Sequence, residues 1–468
     1  MLQEGLMKAP MTIEATHLYV RFLPKNATEY ELLRSDTTLT LFGYPLDYEL
    51  TEGEIYIDPE EGNIGYSWLY TKVSTDYVTP ISGYEIIEEI FLPENTMGTV
   101  EENSTFSSQF NVKSSLNEWN LLEVRSFQLT GNDFPKKEIQ ANRTNGQTKA
   151  PKFYPRAMVR VFDNVSNTYV GVPGVEVRAR WWFNWEKAIT NTNGSATMPD
   201  SFREVNWSLV WEGKDWDIRD GSYGQASYNG PNGSTGNWNL DINEGGSTWL
   251  YAHVQRGCYA YWNNYIGLKE PFKDNFWKQK VKIGVFNEYD RSNMNTIRRW
   301  TLGSLIKIYK GQTTVSTCAN IFLTTVHELA HVSHWDMGRT DFHNSEDILV
   351  ESYAVGVAYE IARRYYSVNS LNYRDWQYLD KNKYITSLEK KYTSLFIDLS
   401  DNFNQRAYYG SDDYPIDRVS GYTLPQIENA VNGSKTLEQW RDKLKNHTNS
   451  TSEYIDELFQ FFIDNVRF

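Results

Sequence analysis

Residues 324–334, TTVHELAHVSH, carry three histidines and a glutamate, in a chain that has only 7 histidines altogether. In a helix, positions four apart lie about 40° apart around the axis and about 6 Å apart along it. His327 and His331 would therefore leave one face together, close enough to share an ion. Neutral imidazole is a good Zn²⁺ ligand, and two of them fill half of a tetrahedral shell. Glu328 follows the first of the pair and would point beside the ion, where a general base for water must stand.

A five-residue pattern with three fixed positions also arises by chance, so its surroundings matter. The flanks 321-IFLTTV-326 and 329-LA-330 are uncharged, as a buried helix needs. A strand-like run, Leu305 to Tyr309, precedes the helix and would supply a sheet edge over a cleft. A third ligand is available in Glu351, twenty positions after His331 (351 − 331 = 20), on a second apolar helix spanning 346–366. Ser345 is the expected N-cap of that helix, with Glu346 and Asp347 in its first turn. Asp347, one turn before Glu351, is the rival ligand or a partner to a ligand histidine. His334 lies about 10 Å along the axis from His327, too far to complete the shell, and is expected at the rim or behind a ligand. His343 is expected in a solvated connecting loop.

HELAH at 327–331 followed by ESYA at 351–354 resembles the gluzincins, the thermolysin-like zinc metallopeptidases. The resemblance runs from near 247 onward. It implies that His327, His331 and Glu351 bind zinc and that Glu328 activates a water for peptide hydrolysis. A further donor for the oxyanion is implied as well. Tyr422, in a Ser-Gly-Tyr-Thr turn, is the candidate and Tyr414 the next. The metzincin alternative fails, because His334 stands where that pattern needs glycine and Met337 where it needs a third histidine.

The elements that must hold these residues form a multidomain chain. At 468 residues it exceeds one ordinary core. The runs 17-HLYVRF-22, 37-TTLTLF-42 and 54-EIYI-57 alternate apolar and polar, which predicts a β-rich N-terminal domain over 1–150. The stretch 17-HLYVRFLPKNATEYELL-33 is similar to the start of some bacterial surface metallopeptidases. A polar, basic piece at 136–152 reads as a linker. Strand-like runs at 157–164 and 172–183, and a strand–turn–strand at 189–199, predict a β-sandwich over 151–245. Its PGV…TNxxG text resembles transthyretin-like or immunoglobulin-like sandwiches. A Gly/Asn/Ser-rich loop is expected at 221–239. Beyond it the period becomes helical, over 249–265, 315–335 and 346–366, with two short strands and a helical tail, as an α+β, mostly helical zincin-like domain over 246–468 requires.

Composition narrows the function. The balance of 60 acidic against 46 basic residues gives net charge −14, which disfavours nucleic acid as a partner. No apolar run reaches the roughly 20 residues of a membrane helix. The start, MLQEGLMKAPM, lacks the features of a signal peptide. Cys258 and Cys318 are too few for a disulfide framework and read as small buried residues. Aromatic content of 15% suits sugar-facing surfaces as well as cores. The expectation is a secreted or surface-displayed zinc peptidase acting on protein, peptide or glycoprotein. The alternative is a non-catalytic adhesion or glycan-binding protein on the same scaffold.

Overall fold

A computed structural model describes residues 14–92, 152–371, 377 and 392–466, except 49, 55, 57–66, 222–223, 264–265, 272–279, 295–304, 313, 315, 368–370 and 372–376. The expected linker at 136–152 lies outside them save for Lys152. The strand expected at 54–57 lies only partly within them.

The N-terminal region holds β1 (His17–Phe22), α1 (Ala27–Ser35), β2 (Leu69–Ser74) and β3 (Tyr84–Ile90). The strands form an antiparallel sheet in the order β2-β1-β3. Alternation along β1 sends Val20 and Phe22 to one face, against Leu33 of α1, and Tyr19 to the other, against Phe183. The run 37–42 is not a strand. Asp36 accepts from both the backbone and the hydroxyl of Thr38, which makes a turn, and only Phe42 bridges, to Tyr70.

Next come β4 (Arg156–Asp163), β5 (Thr168–Gly171), β6 (Glu176–Trp181), β7 (Asn184–Ile189), β8 (Ser195–Thr197), β9 (Asn206–Val210), β10 (Trp216–Asp220), β11 (Gly224–Gln225), β12 (Ser227–Asn229) and β13 (Trp238–Ile242). One sheet runs β13-β4-β5, with β8 also on β4, and a second runs β12-β9-β6-β7. Val159 and Val161 of the first and Val177, Trp207 and Leu209 of the second are buried in one core. The turn before β8 needs glycine: Gly194 has φ +82°, and a Cβ there would meet the Val159 carbonyl at 2.1 Å. The loop expected at 221–239 instead holds β11, β12 and the start of β13, because its glycines punctuate short strands.

The helical part contains α2 (Gly246–Trp262), β14 (Val281–Phe286), β15 (Asn293–Met294), β16 (Ile306–Tyr309), α3 (Cys318–Met337), α4 (Arg339–His343), α5 (Asp347–Ala362), α6 (Leu395–Asp398), α7 (Gln405–Tyr409), α8 (Leu424–Val431), α9 (Leu437–Leu444) and α10 (Ile455–Val466). Its sheet has the order β11-β10-β14-β16-β15, with β10, β14 and β16 parallel and both outer strands antiparallel. This sheet crosses the expected boundary at 245, since β10 and β11 come from before it. One continuous core extends from Ala157 to Phe462, whereas the N-terminal region has two clusters of its own. Among the described residues, no helix is long and apolar enough to cross a membrane.

Helices α3 and α5 pack against each other, and α5 also packs on α6. Gly356 permits the second contact: a Cβ there would stand 2.3 Å from the Phe396 side chain. Gly356→Ala should therefore destabilise the fold by about 1–3 kcal/mol through overpacking, read as a lowered Tm. An unchanged Tm would contradict the close approach of α5 to α6.

Candidate metal centre

Helix α3 begins at Thr317, whose side chain accepts from the Asn320 N–H at 3.3 Å. The Cys318 N–H donates to Asn164 Oδ1 at 3.0 Å, so the loop after β4 holds the start of this helix. Its apolar residues are buried nearly all round, including Phe322, Val326, Leu329 and Val332. Helix α5 starts one residue later than the sequence suggests. Glu346 occupies the N-cap position without a side-chain cap bond, and Ser345 instead donates to the Asp341 and Ser434 carbonyls at 2.7 and 3.1 Å. Ser345 thus ties the helix entry to the segment after α8.

The two helices bring His327, His331 and Glu351 together, with one ligand atom from each within 4.8 Å of the others. The Nε2 atoms of the histidines are 3.1 Å apart, and they stand 3.3 Å and 3.5 Å from the two Glu351 oxygens. Zinc–nitrogen distances of about 2.0–2.1 Å put tetrahedral neighbours about 3.4 Å apart. The observed separations match that spacing, so the donor set fits zinc. His327 and Glu351 side chains are 22% and 38% exposed against 9% for His331, so the group opens to solvent on the His327 and Glu351 side. Glu328 is buried beside it.

Charge states follow from these distances. Burial alone would raise the Glu351 carboxyl, but the His327 hydrogen bond and the charges of His331, His327 and Arg291 hold it at about 2. Burial, then the charge of His327, presses His331 down to about 4. Burial also acts to lower His327, yet its hydrogen bond to Glu351 and the charges of Glu328 and Glu351 leave it raised. An ionised carboxylate and a neutral imidazole are the forms a metal needs. His331 Nδ1 is buried without a hydrogen-bond partner.

The other sequence candidates lie elsewhere. Asp347 is exposed at the first position of α5, outside the converging group. His343 is exposed at the end of the short helix α4 rather than in a loop. His334 is buried behind the ligands, its ring 5.2 Å from Phe342 and 5.0 Å from Tyr353, and burial followed by the charge of His331 lowers it to about 3. Tyr422 is buried. Its hydroxyl hydrogen-bonds Ser452 Oγ at 2.7 Å, and it lines a cavity of about 840 Å³ that none of the four motif residues lines. The Tyr414 ring packs against that of Tyr409 at a 34° tilt, with centroids 4.4 Å apart. Cys258 and Cys318 are free and buried.

Two features escaped the sequence. Arg291, just before the edge strand β15, acts on Glu351, yet nothing marks it among exposed loop arginines. A brace behind the ligands joins Tyr353 and the Lys269 N–H, which each donate to Glu428 at 2.7 Å, while Ser333 donates to the Lys269 carbonyl. Its members are too far apart in sequence to read as one unit.

Searches against protein-family models and curated proteins find no match.

The geometry predicts about one zinc per chain, measured by elemental analysis. Glu351→Ala should lose most of it, because two imidazoles alone leave half the shell unfilled. Full occupancy in that variant would move the ligand role away from Glu351.

Proposed function

We propose that this chain is a zinc-dependent peptidase of gluzincin type, secreted or surface-displayed, with a transthyretin-like or immunoglobulin-like sandwich ahead of a zincin-like domain. The observation that carries this reading is the convergence of His327, His331 and Glu351, at tetrahedral spacing, beside a buried Glu328. Zinc held by those three residues would supply Lewis acidity toward a peptide carbonyl and toward water.

The protein's own groups would do the rest. Glu328 takes a proton from the attacking water and returns it to the leaving amine nitrogen. The exposed sides of His327 and Glu351 admit substrate. Strand β15, outermost in the order of the sheet, packs on α3, which suits an extended substrate segment laid near the metal group. With Tyr422 bonded to Ser452, stabilisation of the developing oxyanion falls to Arg291, whose charge already acts on Glu351.

A second reading, a non-catalytic adhesion or glycan-binding protein, draws on the cavity lined by Tyr359, Phe403, Tyr408, Tyr409 and Tyr422. Tyr408 is 68% exposed there, a ring face free to stack on a sugar. The two readings part at Glu328, which binding alone does not need.

Glu328→Gln should fold and keep its zinc while losing peptide hydrolysis by about 10²–10⁴. His331→Ala should lose both metal and activity. Equal turnover by Glu328→Gln would remove it as the base. A zinc-loaded wild type that cuts nothing in a broad peptide and glycoprotein screen would leave the binding reading in its place.

A further inference from the structure

The cavity of about 840 Å³ beside the C-terminal half of α5 is lined by two kinds of group. The first is aromatic. Phe403, Tyr408 and Tyr409 pack on one another with ring centroids 5.1, 6.2 and 4.9 Å apart, and Tyr408 is left 68% exposed. Helix α7, which carries both tyrosines, is closed at its two ends. Asn404 accepts from the Ala407 N–H at 3.0 Å, and the Gly410 N–H, at φ +64°, donates to the Arg406 carbonyl at 2.9 Å. The backbone that presents the rings is therefore already ordered.

The second kind is polar: Gln377, Asp401 and Asn402. Asp401 is held at both oxygens, Oδ1 by the Phe403 N–H at 3.1 Å and Oδ2 by the Gln377 amide nitrogen at 2.9 Å. Behind it the Gln405 amide nitrogen donates to Gln377 Oε1 and, at 2.6 Å, to Asp398 Oδ1, while Ser394 donates to Asp398 Oδ2 at 2.8 Å. This chain of bonds fixes the Asp401 carboxylate, and each of its oxygens can still accept from a ligand hydroxyl. Charge in the lining balances. Glu360 is paired with Arg363 at 2.6 Å, and Arg364 offsets Asp401.

A balanced lining gives an anion no advantage, and an apolar side chain would strand the amides and the carboxylate. A neutral sugar satisfies both kinds of group, because its C–H face stacks on an aromatic ring while its hydroxyls donate and accept around the rim. The volume falls within the roughly 300–1,000 Å³ of small-molecule sites. Tyr359, also in the lining, lies eight residues after Glu351 on α5 (359 − 351 = 8). That is about 12 Å along the axis and about 80° around it, a span that a few residues of extended peptide cover. We propose that this cavity binds a neutral oligosaccharide, stacked on Tyr408 and hydrogen-bonded by Asp401, Gln377 and Asn402, and so holds the glycan of a glycoprotein substrate. Its use on glycoprotein rests on the peptidase activity proposed above, whereas sugar binding does not.

The test presents the full chain with an array of neutral hexose and N-acetylhexosamine oligosaccharides and their sialylated and sulfated forms. The best neutral binder is then titrated by calorimetry. Wild type should bind it, and His331→Ala should bind it equally, since that variant loses only the metal. Tyr408→Ala should keep its Tm, because the side chain is exposed, and weaken binding at least about tenfold. Tyr408→Phe, which keeps the ring face, should retain most of the affinity. Asp401→Asn should weaken binding too, because an amide cannot accept at both positions. On a glycoprotein, Tyr408→Ala should raise KM about tenfold with kcat held, and enzymatic removal of the glycan from the substrate should do the same to wild type. No binding of neutral sugar at millimolar concentration, binding of acidic sugars alone, or undiminished binding by both Tyr408→Ala and Asp401→Asn would overturn the site. A wild type that cuts glycoprotein and its deglycosylated form equally well would overturn the substrate assignment. Sugar binding by a chain that cuts nothing would refute the peptidase reading and leave the sugar site standing.

Discussion

Two imidazoles on one helix and a carboxylate on another must stay within a few ångströms of each other, although burial works against the charged form of each. Everything around α3 and α5 serves this constraint. The helices are apolar nearly all round, so burial presses them together from every side. The polar groups that burial would strand are used as ties. Thr325 bonds back to the Ile321 carbonyl, Ser352 to Thr393, and Tyr353 to Glu428.

The same constraint reaches outside the helical part. Asp163 at the end of β4 pairs with Arg256 of α2 at 3.2 Å, and Arg256 bonds the Tyr366 hydroxyl at 2.8 Å. Burial raises the Asp163 carboxyl, but the Ser166 N–H, the Cys318 thiol and Arg256 together hold it at about 2. A buried charge so thoroughly matched is rigid, because losing one partner costs about 3–5 kcal/mol. The N-terminal region is joined by a comparable device. Glu31 of α1 pairs with Lys282 and with Arg219, and Arg34 pairs with Glu212, across to the central sheet. Charges thus register the three regions against each other where apolar contact alone would allow sliding.

The histidine helix and its Glu351 partner were legible because helical spacing puts their chemistry on one face within a short text. The short strand-like run Leu305–Tyr309 was legible for similar reasons, as a compact apolar run whose last four residues form β16. What escaped was non-local. The pairing of β10 with β14 joins 216–220 to 281–286, and neither WDIRD nor VKIGVF names its neighbour. The run TTLTLF alternates well, yet Asp36 turns the chain before a ladder can form. Tyr422 is one of 32 tyrosines, and only its contact with Ser452 tells it from the rest.

The strand order β11-β10-β14-β16-β15 bears on how such a chain can be inherited. Its β10 sits between β11 and β14, although it comes from the β-rich sequence before 245. A gene fragment starting at 246 would encode α2 and β14 without the strand that β14 lies against, leaving a bare edge of backbone amides and carbonyls. The β-rich portion alone would end with β10 unpaired on the side where β14 lies. Recombination at the compositional boundary would therefore yield two aggregation-prone halves, so the β-rich part before 245 and the helical part are expected to pass from protein to protein as one cassette.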